Sequence, residues 1–557
     1  MTQPRHGGKI LADQLAILGA TRLFCVPGES FLGLLDGLHD HQNGIQTVAC
    51  RHEAGATNAA EAHGKLTGLP GLAAVTRGPG ATNGSNGVHT AFQDSTPMIL
   101  FIGQVNRGML DREAFQEMDY RRVFGEMAKW VAEIGSADRI PEYVGRAWET
   151  ALSGRPGPVV LALPEETLRE AATVEDLRPI PRIDAAPSAA ALSRLEEMIA
   201  AAEAPLLLLG GAGWSHETQA AAQAFAERLG LPVATSLRRQ DHFDNAHPNF
   251  AGAIGIAPNP ALAKRVREEV DLIVNIGSRL GEMTSQGYEL FGVPTPRMRL
   301  VTVHPGPEEP GMVHRPDLSI ACGAAAFFEA ARILAPRPAG PHVARMRAEF
   351  EAYSTPPPPQ SGNGVDLGEA MLAMAAALPD DAILTNGAGN YTVWLHRFHQ
   401  HRRHATQLAP TSGSMGYGTP AAVAAALEHP DRVVVNVAGD GCFLMTGQEL
   451  ATARQHGAKI ITLVCDNGMY GTIRMHQERR HPGRVIATDL FNPDFVLLAK
   501  AYGGDGERVE RTEDFAAAFQ RALAAPGCYL LHLKTDPEQI TPAQTLSAAR
   551  AQGEAAG

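Results

Sequence analysis

Two acid-and-amide clusters carry the first chemical signal in the sequence. Gly439, Asp440 and Gly441 follow an apolar run at 433–437, and Asp466 and Asn467 follow a second run at 460–465. In parallel sheets, ligands collect at the carboxyl ends of strands, where helix N-termini leave N–H groups free for phosphate. The Asp440 carboxylate, the Asn467 amide oxygen and the Met469 backbone carbonyl then form a hard oxygen set suited to Mg2+, completed by phosphate oxygens. Gly439 and Gly441 let the backbone come close to such a ligand. The implied ligand is a magnesium diphosphate; two ordinary strand-to-helix turns are the alternative.

Other residues invite a chemical reading. His52 and Glu53 open a stretch of small residues (Ala54, Ala56, Ala59, Ala60, Ala62, Gly64) that lets another backbone pack closely, which points to a subunit contact. The zinc-protease pattern HExxH is excluded, because Ala56 stands in its fifth position. The run at 205–209 leads into Gly210, Gly211 and Gly213, a weak dinucleotide signal that lacks the full GxGxxG because position 216 is His. His396, His399, His401 and His404 resemble a metal cluster, yet the intervening arginines and the absence of nearby carboxylates favour a solvated helix end. The arginine-rich stretch 474–484 reads as a solvated charged loop, with a lid for anionic substrate as the alternative.

These residues need elements to position them. Short apolar runs at 23–26, 72–75, 98–102, 159–163, 205–209, 272–276, 433–437 and 460–464 alternate with alanine-rich helical stretches, the pattern of parallel α/β layers with helices on both faces. The chain has 557 residues, enough for three or four domains of about 150 residues. Proline-rich breaks at 178–187 and 336–364 read as linkers. They divide the chain into an N-terminal domain at 1–177, a central domain at 188–335 and a C-terminal domain at 365–540, followed by a tail at 541–557 expected to be disordered. With 48 Lys and Arg against 60 Asp and Glu, the net charge of −12 provides no footprint for nucleic acid or an anionic membrane. Six cysteines without a CxxC pair fit reduced thiols. With neither a signal sequence nor an apolar run of membrane-spanning length in view, a cytoplasmic location is expected.

The GDG run, its spacing to Asn467 and the order of motifs over about 8–535 resemble the thiamine diphosphate enzymes, above all the acetolactate synthase (acetohydroxyacid synthase) large-subunit group. The resemblance implies three doubly wound parallel-sheet domains: pyrimidine-binding, central Rossmann-like and diphosphate-binding. It implies thiamine diphosphate and Mg2+ as cofactors, with metal ligands Asp440, Asn467 and Met469. Gly439, Gly441, Cys442, Tyr470, Gly471 and Thr472 then line the diphosphate site. Gly389 and Asn390 match a family phosphate contact, although Tyr391 departs from the family's His. Glu53 becomes the carboxylate that hydrogen-bonds the aminopyrimidine ring and sets its tautomer, so that the cofactor carbon is deprotonated and adds to a 2-ketoacid. Gly413 offers its carbonyl to the 4′-amino group, and Met415 is the wedge that bends the cofactor, where a methionine taken alone would be a core filler. Ala114, Phe115, Gln116 and Glu117 reproduce the family's AFQE run: Phe115 borders the pyruvate methyl group and Gln116 points to the reacting carbon. Without the resemblance these two would be a core aromatic and a solvated loop residue. Lys129 is placed to steer a ketoacid carboxylate. Active sites shared between subunits imply a homodimer or homotetramer.

The implied activity is decarboxylating carboligation of two pyruvate molecules to 2-acetolactate and CO2, a transferase step of branched-chain amino acid biosynthesis. Pyruvate decarboxylases use an adjacent His-His pair, which is absent here. Glu29 in place of the family's Gly, and Met475-His476-Gln477 in place of Gln-Trp-Gln, motivate the alternatives of a 2-ketoacid decarboxylase or an aldehyde carboligase or lyase. A non-catalytic cofactor-binding protein is a third reading. FAD in the central domain is supported by Arg279 but not by 252–258, which lack the family's Gly-Met-His-Gly stretch. The physiological acceptor and any regulatory subunit are not legible.

Overall fold

The computed structural model describes residues 3–181, 183–358 and 363–556. Arg182 and residues 359–362 of the two expected linkers lie outside the described residues, as do Met1, Thr2 and Gly557 at the chain ends. The chain forms two compact units. The first comprises Met1–Ile183, Pro410–Pro430 and Thr446–Ala458; the second comprises Asp184–Ala409, Asp431–Met445 and Lys459–Gly557.

All eight apolar runs are strands, and three six-stranded parallel sheets contain them. In the first unit the spatial order is Gln46–Ala49, Arg22–Cys25, Gly71–Val75, Met98–Gln104, Pro158–Pro164, Trp130–Glu133. Every residue of Met98–Gln104 and Pro158–Pro164 is buried, as expected of strands covered on both faces. The C-terminal sheet, in the second unit, runs Gln407–Leu408, Ile383–Asn386, Val434–Gly439, Ile461–Asp466, Tyr529–Lys534, Asp505–Val509. Counted from its own first strand, each of these two sheets has the order second, first, third, fourth, sixth, fifth. The central sheet, also in the second unit, runs Phe250–Ala253, Val233–Thr235, Pro205–Leu209, Leu272–Ile276, Arg299–His304, Leu318–Ala321, the order of dinucleotide folds. In every sheet the order reverses beside the first strand, and a ligand crevice opens at the carboxyl ends there.

The helix that begins with Glu53, Glu53–Thr67, is set by its caps: the His52 ring accepts the Ala54 N–H at 3.1 Å, and Gly68 ends it in the left-handed region. Its small face is covered within the chain. It packs on the Pro79–Asp94 and Gly418–Glu428 helices, and a Cβ at Gly55 would lie 2.3 Å from Glu449 Oε1. The Gly418–Glu428 and Glu449–His456 helices, although late in the sequence, therefore belong to the first unit.

Two expectations change. The stretch 336–364 is not a plain linker: it contains the Pro341–Ser354 helix, which buries His342, Val343, Met346 and Phe350 along one side. The tail is ordered as the Leu546–Ala556 helix. Leu546 and Ala549 join Met475 and Ile540 in a small core, which supplies the burial that the tail's composition does not advertise. Among the described residues, no helix is long and apolar enough to cross a membrane, and the six cysteines are buried and form no disulfide.

Candidate active site

In the first unit, the switch point of the sheet brings three predicted residues around one loop. Residues 76–80 leave the Gly71–Val75 strand and enter the Pro79–Asp94 helix. A Cβ on Gly80 would lie 3.3 Å from Glu53 Oε1, and one on Gly78 would lie 2.9 Å from the Gln116 Cβ. Gly78 has φ +61°, so both space and conformation require glycine there. Arg77 Nε donates to the Phe115 carbonyl at 3.2 Å. Phe115 is 77% exposed, so it is no core aromatic, and Gln116 takes a left-handed conformation at φ +65°. Such a conformation in a non-glycine residue costs energy that the surroundings must supply. The source is Glu117: its carboxylate accepts the Asp111 N–H at 2.7 Å and the Ala114 N–H at 2.9 Å. The Ala114 N–H, followed by that of Asp111, holds the Glu117 carboxyl below its usual range.

Glu53 accepts a hydrogen bond at Oε2 from Asn83 Nδ2 at 3.0 Å. The helix carrying Asn83 also holds the segment with Gly413 and Met415. Ser414 Oγ donates to Asn86 Oδ1 at 3.0 Å, Ser412 and Thr90 hydroxyls lie 3.3 Å apart, and the Thr411 N–H donates to Asp94 Oδ1 at 2.7 Å. Below this loop, fully buried Glu61 accepts from Tyr417 at 2.5 Å and Thr96 at 2.6 Å, and Lys65 lies 3.0 Å away. A buried carboxylate with that many partners rigidifies its surroundings. Gly413 is exposed with φ +71°, and Met415 is half-buried.

In the second unit, Asp440 follows Val434–Gly439 at the switch point of the C-terminal sheet. Its Oδ1 accepts the Gly441 N–H at 2.9 Å; its Oδ2 accepts the Gly468 N–H at 2.9 Å and Asn492 Nδ2 at 2.8 Å. The same Asn492 amide and Gly468 N–H also donate to Asp466 Oδ1, at 2.8 and 3.0 Å. The two carboxylates are nevertheless unlike. Asp466 Oδ2 is paired with His532 and Lys534, each at 2.7 Å, and these partners outweigh its burial and hold its carboxyl well below the usual range. Asp440 has no cation among the partners above, and burial, reinforced by the Asp466 charge, pushes its carboxyl up to about 6. One carboxylate is thus neutralised by the protein, and the other is short of positive charge. Asn492 Oδ1, buried beside them, has no hydrogen-bond partner. Both features fit a hydrated divalent cation at Asp440.

The remaining diphosphate residues gather around this point. Asn467 Oδ1 accepts the Met469 N–H at 3.2 Å, and a Cβ on Gly471 would lie 2.9 Å from Asn467 Nδ2. Thr472 Oγ1 donates to Asn390 Oδ1 at 2.9 Å. Glycine at 439 and 441 has a further cause: a Cβ there would meet the Tyr391 ring at 3.0 Å and the Tyr470 ring at 2.6 Å. A Cβ on Gly389 would also meet Tyr391, at 2.8 Å. Tyr391, the departure from the family's His, is buried and donates through its hydroxyl to Cys442 Sγ at 3.3 Å.

Other predicted residues lie elsewhere. Lys129 precedes the Trp130–Glu133 strand and donates to the Ser153 carbonyl at 2.5 Å, at the N-terminal edge of its parallel sheet. Glu53 and Gln116 sit at the opposite, carboxyl edge, beyond the reach of a lysine. The histidines at 396, 399, 401 and 404 are not a solvated helix end: burial pushes His396 down to about 3 and His399 to about 4. The stretch 474–484 is largely the Gly471–Arg480 helix, in which fully buried Glu478 is paired with Arg550 of the C-terminal helix at 2.5 Å. In the central domain a Cβ on Gly211 would lie 2.2 Å from the Gly277 carbonyl oxygen, and Arg279 pairs with Glu309 at 3.2 Å. Sequence reasoning missed Asn83, Asn86 and Asn492. Only position could have flagged them: Asn83 and Asn86 fall one turn apart, on one helix face.

A three-domain parallel α/β chain with an acid-and-amide site at one sheet's switch point and a carboxylate helix at another's defines a class of cofactor enzyme. Family comparison agrees: residues 5–123 match the N-terminal TPP binding domain, 192–331 the central domain and 387–533 the C-terminal TPP binding domain of thiamine pyrophosphate enzymes. The chain belongs to the thiamine pyrophosphate enzyme family. An acetolactate synthase large subunit of Parasynechococcus marenigrum (strain WH8102) is 32% identical to it, over 93% of this chain and 86% of its own length. The acetolactate synthase isozyme 2 large subunit of Escherichia coli (strain K12) is 27% identical over 96% of this chain and 97% of its own. The acetolactate synthase large subunit of Corynebacterium glutamicum is 30% identical over 93% and 84%.

Proposed function

We propose that this chain is a Mg2+-dependent 2-ketoacid decarboxylating carboligase of the acetolactate synthase type, converting two pyruvate molecules to 2-acetolactate and CO2. The observation that carries the reading is the corner of exposed Phe115 and left-handed Gln116, fixed by Glu117 beside the loop that contacts Glu53. Its exposure and conformational cost suit a substrate-facing role and not a packing one.

Thiamine diphosphate, when bound, supplies an acidic ring carbon that adds to the ketoacid carbonyl and takes up the electrons released as CO2 leaves. The chain's residues do the rest. Glu53 holds a proton against the pyrimidine ring, and Asn83 fixes its Oε2. Asp440, Asn467 and the Met469 carbonyl hold Mg2+. Gly389, Asn390 and Thr472 flank the diphosphate, with Gly439, Gly441, Cys442, Tyr470 and Gly471 forming the floor. The Gly413 carbonyl would accept the amino group of the pyrimidine ring, and Met415 would pack beside the bound cofactor. Gln116 positions the reacting carbon, and Phe115 borders the pyruvate methyl group. The family's division of these roles between chains makes the working form a homodimer or homotetramer. For FAD, the strand order of the central sheet is favourable, while the Arg279–Glu309 pair occupies the arginine expected to face it.

A second reading, a 2-ketoacid decarboxylase or aldehyde carboligase, is favoured by Met475. This residue begins the segment that replaces the family's acceptor-selecting element, and it is buried against the C-terminal helix. Pyruvate consumption with and without thiamine diphosphate and Mg2+, with products identified by mass spectrometry, separates the two. Cofactor-dependent acetolactate is expected; acetaldehyde alone would favour the second reading, and no turnover of pyruvate or other ketoacids would overturn both.

A further inference from the structure

Far in the sequence from Asp440, the second unit brings together Asp241 and His242 of the Gln240–His242 turn and His404 of the loop that enters the Gln407–Leu408 strand. A carboxylate oxygen of Asp241 and one ring nitrogen from each histidine all lie within 4.8 Å of one another. His242 is 4% exposed, and its Nδ1, like that of His404, is buried without a hydrogen-bond partner. Leaving a buried imidazole nitrogen unpaired is costly, and a structure that tolerates two side by side invites an explanation.

The surrounding bonds hold these groups in place. Gln219 Nε2 donates to the Asp241 carbonyl at 3.0 Å while its Oε1 accepts the His404 N–H at 3.2 Å, so one side chain ties both backbones together. Asp241 Oδ2 accepts the N–H groups of Thr406 and Gln407 at 3.2 and 3.3 Å. Trp214 stacks on the His242 ring at 4.4 Å and is itself fixed by its Nε1–H donating to the Gly210 carbonyl at 2.9 Å. This degree of fixation suits a metal site, whose outer partners orient the ligands.

We infer that Asp241, His242 and His404 form a site for a divalent transition-metal ion of the Zn2+ type, separate from the Mg2+ position at Asp440. Two imidazoles and a carboxylate select Zn2+-like ions over Mg2+, which prefers an all-oxygen shell. Three atoms within 4.8 Å of one another have a common centre no more than about 2.8 Å from each, against bonds of about 2.0–2.2 Å, so side-chain shifts of about 0.6–0.8 Å close the site. His216, edge-on to His404 with ring centroids 6.0 Å apart, or water takes the fourth position. The ion clamps the central domain's turn to the segment that leads into the C-terminal sheet, so its role is structural.

The test uses the full chain, prepared without a polyhistidine tag, stripped with chelator and equilibrated with Zn2+ alone. Elemental analysis after dialysis is expected to find about one zinc per chain. His404→Ala is expected to lose it, with affinity falling at least about 10-fold, whereas Asp440→Ala and the exposed-histidine variant His39→Ala keep it. Zn2+ is expected to raise the melting temperature of the unaltered chain but not of His404→Ala. Co2+ loaded into the unaltered chain is expected to give the intense visible bands of a low-coordinate nitrogen-oxygen site, a readout that does not depend on any variant folding. Zinc well below one per folded chain, retention undiminished in His404→Ala, or Co2+ spectra of the hexa-aqua type would each overturn the assignment.

Discussion

Asn83 donates its side-chain amide to Glu53 Oε2 across 3.0 Å, from the same helix that grips the Gly413–Met415 segment through Asn86, Thr90 and Asp94. The Pro79–Asp94 helix thus acts as a rail: these four residues fall on one face, and they hold the Glu53 carboxylate and the segment carrying Gly413 and Met415 to one helix. Asn83→Ala removes the Glu53 contact at an exposed position. Turnover should fall about 10-fold, equivalent to about 1.4 kcal/mol on the barrier, with the melting temperature unchanged. Equal losses in kcat and thermal stability would mean that Asn83 is merely structural.

Glu53→Gln keeps the shape and the Asn83 neighbour but removes the carboxyl proposed to hold a proton. Cofactor binding should persist while turnover drops by about 10²-fold or more. Calorimetric titration with thiamine diphosphate and Mg2+, set beside steady-state rates, checks both halves, and near-normal rates would refute the role of Glu53.

Asp440→Ala removes the one carboxylate of the buried pair that the protein leaves without a cation partner. Mg2+-dependent retention of thiamine diphosphate should vanish, while Asp466 remains paired with His532 and Lys534 and the C-terminal sheet stays folded. Circular dichroism verifies the fold and calorimetry the binding; an unchanged affinity would locate the metal elsewhere.

The legible parts of the molecule were those with local signatures. Eight strands could be read because parallel strands covered on both faces are nearly continuous apolar runs. Asp505–Val509, with its exposed and charged residues, and the two-residue Gln407–Leu408 carry no such signal, since edge strands owe their existence to a neighbour. The Pro341–Ser354 helix escaped notice because prolines flank it, although Val343, Met346 and Phe350 keep a helical spacing. Asp440 and Asn467 were legible because each ends a strand. Asn492 was not, since what joins it to Asp440 and Asp466 is tertiary. Lys129 takes its expected role from the family resemblance alone, and the direction of its strand puts it at the opposite edge of the sheet from Glu53 and Gln116.

The buried histidines of the second unit should make the protein acid-labile. His399 is 9% exposed, has an unpaired Nδ1, and is pushed down to about 4 by burial alone. In the unfolded chain it titrates near 6.5. Between these values the unfolded state binds a proton that the native state does not, so stability falls as pH drops from about 6.5 towards 4 and is fully retained above that window. At pH 5 the loss from this residue is on the order of 1–2 kcal/mol. His399→Leu removes the titration and the unpaired nitrogen together. Urea unfolding at pH 7 and pH 5 should then show a smaller difference between the two pH values for His399→Leu than for the unaltered chain. An identical difference would mean that His399 is protonated in the native state over this range, and that the acid sensitivity comes from other groups.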